Sequence, residues 1–227
     1  MSSSTPTAAD DDPVDRPVNR RSAAKAARRA ELLTAAARQM AERGYAGVRL
    51  EDIGGAVGVS GPATYRHFSS KTELLDEMLL DISRRLYGGG TEVVERGGRP
   101  TDILDALIAF HIEVLVSKPD LITVQDRDLS SLTPAANHEV RSLQRRYVER
   151  WVDVLLAEAE EAVGVNEAGA EEVWGPLDRA EARVRVHAMF GLLNSSPRIP
   201  DFDADRLRPL LTAMARAALH ATVIESA

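Results

Sequence analysis

Tyr65, Arg66 and His67 carry three side-chain hydrogen-bond donors within one turn of a short predicted helix, with Arg49 and Lys71 to either side. Donors of these types bind phosphate oxygens, and an arginine can donate two hydrogen bonds to O6 and N7 of guanine. The pattern therefore favours contact with a nucleic-acid duplex. The alternative is a pair of core helices with an ordinary solvated rim.

Two short helices joined by a tight turn are predicted to position these donors. Leu50, Ile53 and Val57 recur at helical spacing, and Gly58 supplies the left-handed residue that ends a helix. A second helix over residues 60–68 follows, since it opens with a serine cap and with a glycine and a proline that suit a first turn. Such a pair is the helix-turn-helix pattern, whose second helix enters the major groove.

Catalytic and metal-binding chemistry finds no support in the sequence. Cysteine is absent, which excludes thiol nucleophiles, disulfides and thiolate metal sites, and there is no G-x-S-x-G motif. None of the histidines follows a glutamate by three residues, so the di-iron motif of helical bundles is missing. We therefore predict that the chain is not an enzyme and uses no metal or cofactor.

The stretch from Gly44 to Leu75, GYAGVRLEDIGGAVGVSGPATYRHFSSKTELL, closely resembles the DNA-binding domain of the TetR family of transcriptional regulators. The G-Y before the first helix, the D-I within it, G-V-S at the turn, Y-x-H-F at the end and S-K-x-x-L after it all stand in register. This motif covers about a fifth of the chain, and the remainder is expected to agree in architecture.

The sequence departs from the family pattern at two places. Val48 and Arg49 stand where Ser or Thr usually caps the first of these helices, and we expect Glu51 and Asp52 to compensate in part through the helix dipole. Thr64 stands where an aliphatic residue is common. Its hydroxyl is expected to bond back to the preceding turn at a small cost in packing.

The residue types and the resemblance together predict which residues contact DNA. Arg66 is expected to read a base, while Gly61 and Ala63 allow close approach and contact with a thymine methyl group. Tyr65 and His67, with Arg49 and Lys71, are expected to touch phosphates, and the basic run of residues 20–29 to follow the backbone or reach the minor groove. The predicted DNA-contacting residues are Arg20, Arg21, Lys25, Arg28, Arg49, Ser60, Gly61, Pro62, Ala63, Tyr65, Arg66, His67 and Lys71.

The distribution of charge supports this interpretation independently. The whole chain has a formal net charge of −7, which is unfavourable for binding DNA. Residues 20–71, however, contain ten Lys or Arg against four Asp or Glu, whereas residues 72–227 contain 17 against 27. Positive charge is therefore concentrated in the segment where contact with phosphates is predicted.

Composition and periodicity predict an all-α fold, because aromatic residues are few and good helix formers are plentiful. We predict a disordered tail over residues 1–19, a DNA-binding domain over 20–71 and a ligand-binding and dimerisation domain over 72–227. A helix capped by Thr101, a helix closed by Gly164 and loops at Gly88–Gly90 and Gly97–Gly98 are also expected. The predicted helices cover residues 24–43, 50–57, 60–68, 72–87, 102–118, 119–129, 134–163, 176–194 and 203–223, with a loop at 165–175.

The resemblance also implies what the helical body does. In the TetR family the body encloses a largely apolar cavity where a small molecule binds and lowers affinity for DNA, and the last two helices pair across a two-fold axis. It thus implies a homodimer on a palindromic operator and a small lipophilic effector, unidentified, with acyl-CoA as one candidate. The candidates to line the cavity combine bulk or an apolar neighbourhood with a polar tip. They are Phe110, His111, Gln125, Tyr147, Trp151, His187, Phe190 and Asn194.

The sequence also allows other interpretations of the helical body. The same polar and aromatic residues could be satisfied members of an ordinary core. An α-helical carrier of small molecules without a DNA role is the alternative function, and it predicts no salt-dependent binding to DNA. No apolar run approaches the ~20 residues of a membrane span, and the acidic N-terminus is unlike a signal peptide. We therefore expect a cytoplasmic protein with no membrane partner.

Overall fold

The computed structural model describes residues 17–166, 177–198 and 203–221, and every regular element among them is helical. This confirms the all-α prediction. Two short 3-10 turns, Leu129–Ser131 and Ser196–Arg198, accompany the α-helices. The α-helices are α1 (Pro17–Arg43), α2 (Leu50–Ala56), α3 (Gly61–Thr64), α4 (Lys71–Glu95), α5 (Pro100–Ser117), α6 (Pro119–Asp128), α7 (Pro134–Asn166), α8 (Arg179–Asn194) and α9 (Ala204–Leu219).

One apolar core runs through the described helices. Near the N-terminus, Leu32, Met40, Ile53 and Phe68 are completely buried where α1 packs against α2 and the end of α3. In the body, α4 packs along α7 and α5, and α8 pairs with α9. Helix α1 also packs on α6, so the core continues from the N-terminal helices into the body.

Gly88, Gly89 and Gly90 lie inside α4, so the prediction of a loop at this triplet was wrong. A Cβ at Gly89 would overlap the ring of Phe110, and a Cβ at Gly90 would overlap the ring of Tyr147. Two glycines thus let rings from α5 and α7 reach the α4 backbone. Burial of those rings outweighs the low helix propensity of glycine.

Three other boundaries in the first half differ from those predicted. Helix α1 begins at Pro17, a residue that suits a first turn, so residues 17–19 of the predicted disordered tail are helical; residues 1–16 lie outside the described ones. Helix α3 ends at Thr64, and a tight turn continues to Phe68. Helix α5 begins at Pro100, so Thr101 lies within its first turn and does not cap it.

Boundaries in the second half shift as well. Gly164 lies inside α7, since a single glycine costs only about 1 kcal/mol within a helix and does not by itself end one. Helix α8 begins after Asp178, whose carboxylate accepts a hydrogen bond from the Glu181 amide at 2.8 Å. Most of the loop predicted at 165–175 lies outside the described residues, as does the end of the last predicted helix beyond residue 221. Gly97 and Gly98 have positive φ values of 70° and 130°, as a loop there requires.

Two further findings apply to the described ranges only. No helix in them combines the length and the apolar composition needed to cross a bilayer. No group of three or more His, Asp or Glu side chains in them is arranged to hold a metal ion.

We expect Gly90→Ala to destabilise the fold relative to Gly88→Ala. Both substitutions gain roughly 1 kcal/mol of helix propensity, but nothing lies within 4 Å of a Cβ at Gly88, whereas one at Gly90 meets Tyr147. Overpacking costs roughly 1–3 kcal/mol, so the free energy of unfolding should differ by about that amount. Urea unfolding followed by circular dichroism measures it. Equal values for both variants would show that Tyr147 moves aside without cost.

Candidate nucleic-acid interface

The turn between α2 and α3 has the geometry of a helix-turn-helix. Gly58 adopts φ 69°, and the Val57 amide donates to the Gly54 carbonyl at 3.1 Å, so α2 ends as predicted. Thr64 is fully buried against Gly54, where a Cβ would overlap the Thr64 hydroxyl oxygen. That hydroxyl donates to the Ser60 carbonyl at 3.1 Å, as predicted. The close approach of Gly54 and Thr64 fixes how the two helices cross.

The starts of α2 and α3 are capped differently from the family pattern. The Asp52 carboxylate accepts a hydrogen bond from the Arg49 amide at 3.2 Å, which fixes the residue that stands where the family pattern has Ser or Thr. The Ser60 side chain makes no capping hydrogen bond on α3, contrary to its predicted role as a cap. Proline in the first turn of α3 removes one of the amide groups that a cap would serve.

The exposed face of α3 and the following turn presents Ser60, Pro62, Tyr65 and Arg66, while Gly61 and Ala63 are half-buried. The Arg66 guanidinium makes no hydrogen bond or ion pair within the described part of the chain, so its donors stay available. Tyr65 is different: its hydroxyl donates to the Glu51 carboxylate at 2.7 Å, and this hydrogen bond lowers the pKa of Glu51. This hydrogen bond fixes the orientation of the Tyr65 side chain relative to α2.

The basic residues of α1 divide into two groups. Arg21 and Lys25 are exposed, while Arg28 pairs with Glu31 at 2.6 Å and donates to the Val57 carbonyl at 3.2 Å, which ties α1 to the turn. The side chain of Arg20 lies outside the described ones. Arg29, by contrast, is bonded internally and does not follow a DNA backbone as the basic run predicted.

Arg29 connects α1 to α4 and to the end of the tight turn over residues 65–68, which we call the recognition turn. Its guanidinium lies 3.9 Å from the centroid of the Phe68 ring and donates to the His67 carbonyl. It also bonds to Glu77 at 2.8 Å and pairs with Glu73 at 3.3 Å. Hydrogen bonding by Glu77 raises the pKa of Arg29 further, so the group stays charged. The side chain is 28% exposed, which makes this a partly buried network rather than a surface pair.

His67 lies among cations that the sequence did not indicate as its neighbours. Burial lowers the pKa of His67, and so do the charges of Lys25, Arg29, Arg28 and Arg66 around it. The exposed ones among these cations, Lys25, Arg28 and Arg66, form one positive surface next to an imidazole that is neutral at pH 7.

Lys71 serves the fold more than the surface. Its ammonium donates to the Tyr45 carbonyl at 2.7 Å and to the Val48 carbonyl at 2.8 Å, and lies 4.1 Å from the centroid of the Tyr45 ring. These bonds use two of the three donors of the ammonium within the fold, whereas the sequence predicted contact with phosphate. Lys71 anchors the loop before α2.

A cavity of about 240 Å³ lies among α4, α5, α6, α7 and α8. Predicted residues that line it are His111, Gln125, Tyr147, His187, Phe190 and Asn194. Two predicted residues do not: Phe110 packs on Gly89, and Trp151 is fully buried behind the lining rings. Sequence reasoning missed Gln144, although it lies one turn from Tyr147 on the same face of α7.

Four rings enclose the inner end of this cavity: His111, Tyr147, Trp151 and Phe190 lie with neighbouring centroids 4.8–6.2 Å apart. His111 Nδ1 is 3.3 Å from the Tyr147 hydroxyl and Nε2 is 3.3 Å from Asn194 Oδ1. Burial lowers the pKa of His111 to about 4 and raises that of Tyr147. Both groups are therefore uncharged at neutral pH.

Comparison with known proteins finds related family models for both the N-terminal and the C-terminal part of the chain. Residues 32–78 match the family model "Bacterial regulatory proteins, tetR family", and residues 97–198 match "Tetracyclin repressor-like, C-terminal domain". The HTH-type transcriptional repressor KstR2 of Mycobacterium tuberculosis is 32% identical over 137 residues, which are 59% of this chain and 68% of that protein. The chain belongs to the TetR family. It spans about two thirds of the length of the KstR2 proteins it matches.

Solved structures of TetR-family regulators share the fold. The structure of the ketosteroid transcriptional regulator KstR2 of Mycobacterium tuberculosis has a TM-score of 0.68 at 23% identity, covering 83% of this chain and 92% of that one. AibR in complex with isovaleryl coenzyme A and operator DNA has a TM-score of 0.62 at 18% identity, covering 82% and 97%. Membership of the TetR family confirms that the chain is a transcriptional regulator and not an enzyme.

Because Arg29 is bonded internally and Lys25 is exposed, we expect the two residues to contribute differently to stability. Arg29→Ala should lower the free energy of unfolding by about 1–3 kcal/mol, because Glu77 and the His67 carbonyl lose a charged donor. Lys25→Ala, which removes an exposed side chain from the same helix, should stay within about 0.5 kcal/mol of the parent. Urea unfolding of the two variants provides the comparison. Similar losses for both would contradict the structural role of Arg29.

The buried imidazole in the body leads to a second prediction, on pH dependence. The pKa of His111 is about 4 in the folded protein against an ordinary value of 6.5, so below pH 6.5 the unfolded chain gains a proton that the folded chain does not. The free energy of unfolding should therefore fall between pH 6.5 and 4, by up to about 3 kcal/mol from this group. Urea unfolding across this range should show a flatter curve for His111→Gln and an unchanged one for the exposed His138→Gln. A slope that persists in His111→Gln would refute this origin.

Proposed function

We propose that this TetR-family protein is a DNA-binding repressor that a small lipophilic effector releases from a palindromic operator. The observation that carries the proposal is the single positive surface formed by Lys25, Arg28 and Arg66 around His67, in a chain whose net charge is −7. A positive surface beside an exposed recognition turn is the electrostatic footprint of a duplex-binding protein.

In this proposal α1 to α3 form the reading head, and α4 to α9 form the body. Helix α3 and the turn after it lie in the major groove, where Arg66 donates to base edges. Arg21, Lys25 and Arg49 contact phosphates and set the register. Glu51 holds Tyr65 in place, so Tyr65 contacts the duplex through a fixed ring rather than a free hydroxyl.

Two copies of the chain are proposed to associate through α8 and α9. Val184 on α8 is 67% exposed, and Leu210 and Met214 on α9 are 47% and 40% exposed. Large apolar side chains exposed on one helix pair mark an interface more often than a solvated surface. A two-fold dimer would place two heads on half-sites one helical turn apart.

The effector is proposed to occupy the cavity between α4 and α8. KstR2 is described as a ketosteroid regulator and AibR as a complex with isovaleryl coenzyme A and operator DNA, and both have the fold of this chain. An acyl-CoA or another lipophilic metabolite is therefore the proposed class. Release requires that the effector bind more tightly to a conformation whose two heads no longer match successive turns of DNA. A repressor of this kind acts in the cytoplasm, where its operator is.

The experiment that tests this function starts by selecting bound fragments from random DNA to obtain the operator. Arg66→Ala should then cost about 1–3 kcal/mol on the operator and relax the preference at one base position. Arg49→Ala is the matched control, since a lost phosphate contact should weaken binding to all duplexes alike and reduce the salt slope by about 1. Fluorescence anisotropy at several salt concentrations measures both, and sedimentation gives the number of chains per operator.

Two outcomes would overturn the proposal. Selection that enriches no sequence, or binding that does not depend on salt, would favour the carrier without a DNA role. An equal loss on operator and random DNA for Arg66→Ala would remove Arg66 as the base-reading residue.

A further inference from the structure

The polar groups that line the cavity indicate which functional groups a ligand can place there. The lining contains no Lys or Arg among the described residues, and its one acidic member is Asp126. An anionic group placed inside would have to give up its hydration without gaining a cationic partner, which is costly. The cavity therefore disfavours a carboxylate or phosphate at its inner end.

One amide donor at that inner end has no acceptor among the described residues. With Asn194 Oδ1 facing His111 Nε2, the neutral imidazole donates from Nε2 and accepts the Tyr147 hydroxyl proton at Nδ1. This arrangement leaves the Asn194 amide N–H groups without an acceptor in the described part of the chain. The buried indole N–H of Trp151 also makes no hydrogen bond of normal geometry, although it lies close enough to Tyr147 to lower the pKa of that phenol.

Both hydrogen bonds of His111, at 3.3 Å, are longer than the 2.7–3.0 Å usual for strong ones. A buried donor without a partner destabilises a protein, so a ligand acceptor that reaches it gains more than it would in water. An oxygen entering beside the half-buried Asn194 would meet its amide N–H groups with little rearrangement. The rings of Tyr147 and Phe190, which line the cavity, would contact the apolar body behind that oxygen.

We propose that the cavity binds the uncharged carbonyl end of a ketone, ester or thioester, whose oxygen accepts a hydrogen bond from Asn194 and whose adjoining apolar part packs on the rings of Tyr147 and Phe190. The volume of about 240 Å³ corresponds to roughly eight water molecules at ~30 Å³ each. It fits a single substituted ring or the end of a longer molecule. This inference rests on the proposed effector site and specifies what that site recognises.

Three probes of equal length test the inference directly: benzylacetone, a ketone; hydrocinnamate, the matching carboxylate; and butylbenzene, which has no oxygen. Trp151 fluorescence reports binding in a Trp174→Phe background, which leaves a single tryptophan in the chain. Benzylacetone should bind about tenfold more tightly than either of the other two. Hydrocinnamate binding as tightly as benzylacetone, or no binding of benzylacetone up to its solubility, would overturn the proposal.

Substitutions then locate the donor. Asn194→Leu keeps the bulk of the side chain and removes its amide, so it should abolish the preference for benzylacetone over butylbenzene. Gln144→Leu changes another polar lining residue and should keep the preference, which provides the matched control. A preference that survives Asn194→Leu would refute the assigned donor, and the wild-type comparison of ketone with carboxylate stands even where a variant fails to fold.

Operator binding measured in the same samples separates this inference from the proposed function. Selective binding of benzylacetone that leaves operator affinity unchanged would support the carbonyl site and count against its role as an effector site. Release of the operator by hydrocinnamate alone would support the regulatory function and overturn the carbonyl inference.

Discussion

The Arg29 guanidinium joins three segments, its own α1, the turn after α3 and α4, which must keep their mutual positions if α3 is to face a duplex. It stacks on Phe68, donates to the His67 carbonyl and pairs with Glu73 and Glu77 near the start of α4. Because a planar group with five donors holds these partners in a fixed fork, rotation of the recognition turn relative to α4 would break several bonds together. Partial burial strengthens each of them relative to a surface pair. The orientation of the reading head is therefore a property of α4 as much as of α3.

Helix α6 contacts both the cavity and the end of α1. Gln125 lines the cavity and donates to the Ser83 hydroxyl of α4 at 3.3 Å, whereas Arg127, two residues further on, donates to the Met40 and Ala41 carbonyls at the C-terminus of α1. A cation at that end of a helix satisfies carbonyls that have no partner within the helix and opposes the negative end of its dipole. A displacement of α6 would thus act on α1 and α4 at once, which are the two helices that Arg29 joins.

Local signals predicted the recognition region well, because the determinants of its shape lie within a few residues of each other. Gly58 ends α2 and Thr64 bonds to the carbonyl four residues before it, and both follow from the sequence alone. Arg29 and Lys71 were assigned to DNA because they look like solvated cations. Their partners stand 48 and 26 residues away, and only tertiary packing brings these groups together. The same limit explains Gly89 and Gly90: glycine in a helix is unfavourable until rings from distant helices occupy the space that a side chain would fill. The side chains of the inner cavity could be predicted by type, but not that Trp151 would stand behind the rings of the lining.

Gly90 leaves α4 bare at the point where Tyr147 rests on it. Elsewhere in a helical core, a ring that shifts is accommodated by neighbouring side chains, which rotate about their own bonds. Main-chain atoms have no such freedom, and their positions are held by hydrogen bonds along the whole helix. A tilt of the Tyr147 ring would therefore bend α4 itself. Tyr147 thus forms part of the cavity wall and also contacts the main chain of α4, the helix that follows the reading head.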